Sequence, residues 1–124
     1  MQFGDIYLVE IPMSSGHEQA GLRPAVIVQE IGIEKVPTVL IVPLTSKLKA
    51  KDFPFTFVVE PDQSNNLDAV SVSLVFQVRA IDKKRLKNKI GKIGQAGMDL
   101  LKRNLKEIMG LLDKEEQEKI EPSH

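Results

Sequence analysis

The chain contains no cysteine and no tryptophan, and only 5% of its 124 residues are aromatic. Without cysteine there are no disulfides, no thiolate metal sites and no cysteine nucleophile. No apolar run approaches the roughly 20 residues of a membrane-spanning helix, so no membrane is expected as a partner. The opening MQFGDIYLVEIP has no basic segment before its apolar run and no small-residue cleavage site. No signal peptide is therefore expected, and the chain reads as cytoplasmic. Net charge is missing too, with 17 Lys+Arg against 17 Asp+Glu. A general nucleic-acid binder is usually strongly basic, so the overall balance argues against one. That balance is a cancellation of blocks. Residues 1–78 carry 5 basic and 9 acidic groups, residues 79–106 carry 10 and 2, and residues 107–124 carry 2 and 6. A local anionic partner stays open.

The length suits one domain with a real core. Apolar patterning places that domain at residues 1–112, followed by a charged tail at 113–124. The first two thirds read as short strands. Ile6–Ile11 is an apolar run closed by Pro12; Ala25–Gln29 follows Pro24; Thr38–Val42 lies between Pro37 and Pro43. Each is rich in β-branched residues. Phe53, Phe55, Phe57 and Val59 alternate with other residues, and Pro54 removes a ladder donor, so this strand is expected at a sheet edge. Val70, Val72, Leu74 and Phe76 alternate likewise, and the pattern continues through Val78 and Ala80, giving Phe76 a core-packing role. After Asp82, a possible cap, a short helix is expected from Lys83, with Gly91 as its stop. From about Gln95, Met98, Leu101, Leu105, Ile108 and Leu112 share one helical face, which the tail is expected to extend before fraying. Five or six strands followed by helices predict an α+β, mainly β fold: a small SH3-like barrel with a short helix and a C-terminal amphipathic helix.

The loop at 12–24, PMSSGHEQAGLRP, is long for a hairpin and rich in polar groups: Ser14, Ser15, His17, Glu18, Gln19 and Arg23. Long ordered loops in compact domains are more often functional than short ones. A second polar cluster, Pro43-Leu44-Thr45-Ser46, ends the third strand and leads to Lys47, Lys49 and Lys51. An Arg and a hydroxyl brought to one end of a barrel suit a phosphate, because guanidinium presents a planar fork of donors and the hydroxyl adds a neutral one. Spacing alone does not separate that reading from a surface Arg–Glu pair beside a Thr turn.

Taken together, Gly4-Asp5-Ile6, Glu18 to Val26 (EQAGLRPAV), Pro43 to Ser46 (PLTS) and Gln77 to Leu86 (QVRAIDKKRL) resemble the signatures of the MazF/PemK (Kid) family of toxin endoribonucleases. The blocks occur in the family's order, and the resemblance spans about residues 3–112. It implies an SH3-like barrel, a homodimer, an antitoxin peptide as partner, and cleavage of single-stranded RNA with no metal or other cofactor. On this resemblance Arg23 and Thr45 match the family's catalytic Arg and Thr, while Glu18, Gln19 and Gln77 match positions that contact RNA. Beside them, His17, Ser46, Phe76, Lys47 and Lys49 are taken as further RNA contacts. The implied route has the ribose 2′-hydroxyl attack the adjacent phosphate, leaving a 2′,3′-cyclic phosphate and a 5′-hydroxyl. A substrate-supplied nucleophile agrees with the missing cysteines. Guanidinium stays protonated at physiological pH, so Arg23 suits charge stabilisation rather than proton abstraction, and Glu18 becomes the proton acceptor.

Two positions depart from the family pattern. His17 stands where relatives often carry Ser, and Phe76 where they often carry an acidic residue. Carboxylates and hydroxyls read base edges by hydrogen bonds, whereas Phe stacks or packs, so an altered cleavage sequence is expected. The competing readings are a non-catalytic protein of the same fold that binds a protein target such as gyrase, and a plain SH3-like binding module. Neither has a use for the Arg23 and Thr45 pair.

Overall fold

The computed structural model describes residues 1–12 and 21–120. Seven strands are formed: β1 (Asp5–Ile11), β2 (Gly21–Ile27), β3 (Thr38–Thr45), β4 (Thr56–Val59), β5 (Ser71–Leu74), β6 (Arg79–Asp82) and β7 (Leu86–Lys92). Two helices follow, α1 (Gln95–Ile108) and α2 (Lys114–Ile120). All pairings are antiparallel, in the order β4-β5-β3-β2-β1-β7, with β6 also paired to β3. The fold is α+β and mainly β, as expected. No ladder joins β4 to β7 among the described residues, so the barrel is open. Pro54 behaves as expected: β4 starts after it and lies at one end of the strand order. No helix of the described residues is long and apolar enough to cross a membrane.

The apolar runs are continuous because both faces of the central strands are buried. Even-numbered Val26, Val28, Val42 and Leu44 face a cluster with Ile6, Phe57, Val59, Val75, Ile93 and Leu101. Odd-numbered Val9, Ile11, Ala25, Ile27, Val39 and Ile41 face a second cluster with Ile33 and Ile81. The helical stripe reads correctly at its start. Leu101 is fully buried, and Met98 and Leu105 pack on the first cluster.

The gap between β4 and β7 is spanned by residues 60–67. The buried Asn65 side chain accepts from the N–H groups of Asp62 and Leu67 and donates to the Glu60 carbonyl. The Asp62 carboxylate accepts from the N–H groups of Ser64 and Asn65. The loop then meets β7, with Lys92 N–H donating to the Ser64 carbonyl at 3.0 Å and the Asn66 amide donating to the Ile90 carbonyl at 2.9 Å. A Cβ on Gly91 would collide with the Ser64 carbonyl oxygen, so only glycine permits this approach.

Four sequence expectations change. The helix predicted from Lys83 is a single 3-10 turn, Lys83–Arg85, followed by β7, and Gly91 lies inside that strand rather than ending a helix. Asp82 does cap the turn, accepting from Lys84 N–H at 2.8 Å. The free edge of β1 then offers a ladder that outweighs weak helix propensity at Asn88 and Gly91. The predicted run through Val70–Ala80 is two strands, β5 and β6, separated by a 3-10 turn at Val75–Gln77. That turn reverses the alternation, so Val75 is buried in the core and Phe76 is not the core residue its phase suggested.

The fourth concerns the tail, which does not extend α1. Gly110, at φ +70°, is left-handed and ends the helix with paired bonds, Gly110 N–H to the Glu107 carbonyl and Leu111 N–H to the Lys106 carbonyl. Leu112 therefore leaves the helical stripe. Asp113 and Glu116 then cap α2 reciprocally: Glu116 N–H donates to Asp113 Oδ1 at 2.7 Å, and Asp113 N–H to Glu116 Oε1 at 3.3 Å. Lys106 on α1 pairs with Glu116 at 3.0 Å.

Leu101→Ala is expected to lower unfolding free energy by about 3 kcal/mol, a large share of the roughly 5–15 kcal/mol typical of a domain. Gly91→Ala is expected to destabilise as well, by forcing residues 60–67 off β7. Urea unfolding followed by circular dichroism measures both.

Candidate active site

Arg23 and Thr45 are 22 residues apart in sequence, and the register of the sheet brings them to one end. Strands β2 and β3 pair at Ile27↔Ile41, Val26↔Val42 and Ala25↔Pro43. Continued for two residues on each strand, this register sets Arg23 opposite Thr45. The period of two puts both side chains on the face of the sheet that carries Ala25, Ile27 and Ile41. On its other side Arg23 pairs with Val9 of β1. Its backbone is therefore held against β1, near the start of β2, and the residue is half-buried.

Thr45 is only 2% exposed and pairs with Val72 of β5. Its Oγ1 accepts from Lys47 N–H at 3.2 Å. This bond uses one lone pair of the hydroxyl oxygen. It also shapes the turn out of β3, where Ser46 and Lys47 are exposed, and Lys49 and Lys51 follow on an exposed 3-10 helix, Leu48–Asp52. Gly21 begins β2 opposite Ile11 with φ +91°, a backbone conformation that strains any residue with a Cβ. It sets the direction in which the chain arrives at Arg23.

The structure thus gathers Arg23 and Thr45 and puts Ser46, Lys47 and Lys49 just beyond them. Gln77 ends the 3-10 turn Val75–Gln77, which packs against β3, and Phe76 lies on the same turn. His17, Glu18 and Gln19 lie outside the described residues. Within residues 83–92, Arg85 pairs with Glu10 at 3.1 Å and Lys89 with the buried Asp5 at 3.4 Å. Sequence reasoning missed Phe53, whose ring meets Phe76 with centroids 5.3 Å apart. Its place in the 53–59 alternation signalled core, yet it precedes β4 and stays half exposed.

The described residues form an open antiparallel sheet, with Arg23 near the start of β2 and Thr45 at the end of the adjacent β3. The profile of the PemK-like, MazF-like toxins of type II toxin–antitoxin systems matches residues 2–109, and the chain belongs to that family. Solved structures agree in fold. MazF from Deinococcus radiodurans superposes with a TM-score of 0.73 at 22% identity, covering 89% of this chain and 96% of that one. A mycobacterial endoribonuclease in complex with its cognate antitoxin gives 0.72 at 19% identity, covering 91% and 98%. The Mycobacterium tuberculosis toxin MazF-mt6 gives 0.70 at 17% identity, covering 88% and 99%.

Removing the Thr45 hydroxyl as Thr45→Val is expected to cost about 1 kcal/mol through the lost bond to Lys47, whereas Thr45→Ser keeps it. Denaturant midpoints of the two variants check this, and they separate the structural part of the hydroxyl's role from any chemical part.

Proposed function

We propose that the chain is a toxin endoribonuclease that cuts single-stranded messenger RNA at selected sequences without a metal, and that an antitoxin peptide silences it. One observation carries this reading: β2 and β3 pair antiparallel up to Ala25↔Pro43, and Arg23 and Thr45 each lie two residues beyond that pair. Family membership supports it, as do endoribonucleases of the same fold, one of them held by its antitoxin. A homodimer fits the family resemblance.

In this mechanism the scissile phosphate lies between the two strand ends. The Arg23 guanidinium donates to the non-bridging oxygens, and the Thr45 hydroxyl donates to one of them. The ribose O2′ attacks phosphorus, forming the O2′–P bond as the P–O5′ bond breaks. One proton leaves O2′ for Glu18, and the Arg23 guanidinium donates one to O5′ and regains it from solvent. The products are a 2′,3′-cyclic phosphate and a 5′-hydroxyl end. Arg23 acts because charge grows on the phosphoryl oxygens in the transition state, and a donor already fixed by two strands needs little reorganisation to meet it. His17, Gln19, Ser46, Gln77, Phe76, Lys47 and Lys49 contact the flanking nucleotides, the lysines through phosphates and the others through bases and sugars.

The purified protein is expected to cut a long unstructured RNA in EDTA, leaving cyclic-phosphate and 5′-hydroxyl ends on fragment mapping. Arg23→Ala is expected to lower the rate by about 100-fold or more. RNA left intact at high protein concentration would overturn the nuclease reading in favour of a protein-binding toxin. Cleavage that needs magnesium would overturn the mechanism.

A further inference from the structure

The turn carrying Phe76 results from a mismatch in strand length. Strand β3 pairs with β5 at Leu44↔Ser73 and, along the same edge, with β6 at Ile41↔Arg79. Between these positions Val42 and Pro43 face five residues, Leu74–Val78. The surplus folds into the 3-10 turn Val75–Gln77, which inserts Val75 into the core and leaves Phe76 half-buried. The turn lies beside Pro43, two residues from Thr45.

Phe53 arrives from the other direction. It follows the 3-10 helix Leu48–Asp52, which packs on β4 and β5. Its backbone is fixed by its N–H donating to the Ala50 carbonyl at 3.1 Å and its carbonyl accepting from Thr56 Oγ1 at 2.8 Å. Its ring meets Phe76 at 5.3 Å and 50°, yet 52% of the residue remains exposed. Neither Phe belongs to a core cluster. Two aromatic rings are held against each other on the surface, in a chain with only five Phe, one Tyr and no Trp. Lys47, Lys49 and Lys51 stand exposed on the segment leading to Phe53.

Resting on the ribonuclease reading, we infer that Phe53 and Phe76 form a stacking subsite for an unpaired base of single-stranded RNA flanking the scissile phosphate. The neighbouring lysines favour this occupant over an apolar protein segment, because a base brings an anionic backbone with it. A Phe ring offers only its π-face and no hydrogen-bond partner. The subsite therefore selects by stacking area, with purine above pyrimidine, rather than by base-edge pattern.

Short uncleavable 2′-O-methyl oligonucleotides, one of adenines, one of uridines and one abasic at its central positions, test the subsite by fluorescence anisotropy. The protein is expected to bind the adenine strand tightest and the abasic strand weakest. Phe53→Ala and Phe76→Ala should weaken adenine-strand binding roughly 5- to 150-fold while leaving abasic-strand binding nearly unchanged, and Phe76→Tyr should restore it. Phe53 is exposed, so its variant remains informative if Phe76→Ala folds poorly. An equal loss on all three strands, or no loss, overturns the proposal. So does unchanged RNA binding with weakened antitoxin binding, which would assign the pair to the protein partner. Cleavage by the wild type is read separately. RNA cut normally by a protein whose Phe variants bind like wild type sinks the subsite alone. Base-dependent binding without cleavage sinks the nuclease reading alone.

Discussion

Strand β3 must satisfy three partners, and the rest of the molecule follows from how it does so. One edge pairs with β2; the other is shared by β6 along residues 38–41 and by β5 at Leu44 and Thr45. Both of its faces are buried, so unpaired backbone groups along it would be costly. β5 and β6 run the same way along that edge but in registers three residues apart, and the 3-10 turn Val75–Gln77 takes up the surplus. The same constraint places Val75 in the core, turns Phe76 to the surface and ends β3 at Thr45, where the catalytic hydroxyl is proposed to act.

The proposed chemistry sits where pairing stops. Inside the sheet the register of β2 and β3 is fixed by two apolar clusters on opposite faces, and a one-residue slip would exchange them. That register is paired as far as Ala25 and Pro43, two residues short of Arg23 and Thr45, which are held by β1 and β5 in turn. Thr45 is buried there and Arg23 half-buried. The net charge of zero is compatible with this arrangement. Arg85 on the 3-10 turn before β7 and Lys89 of β7 are bound to carboxylates of β1, while lysines 47, 49 and 51 follow Thr45 on an exposed segment.

The strands from Ile6, Ala25 and Thr38 were legible because β-branched runs bounded by proline have few other uses. The stripe of Met98, Leu101 and Leu105 was legible because its 3.6 period has one geometric meaning. Arg23 and Thr45 were singled out by residue type and family pattern, and their convergence at one end of the barrel was an expectation from their places at a strand entrance and a strand exit. The errors have identifiable causes. Leu86 and Ile90 are four apart, a spacing that also fits a helix, and only the free edge of β1 decides for a strand. Gly110 and the Asp113–Glu116 box did carry the break between α1 and α2, and their signals are local. The apolar stripe running on to Leu112 led the expected helix past Gly110.

By itself the sequence determined the mainly β class, the core-facing residues of the first strands and the residue types able to hold a phosphate, since each depends on local pattern or side-chain chemistry. Tertiary structure decided which strand ends meet, that the barrel stays open with residues 60–67 across its gap, and that Phe53 and Phe76 touch. Those outcomes depend on pairings between residues far apart in the chain, where a three-residue excess on one strand changes the face of every side chain that follows.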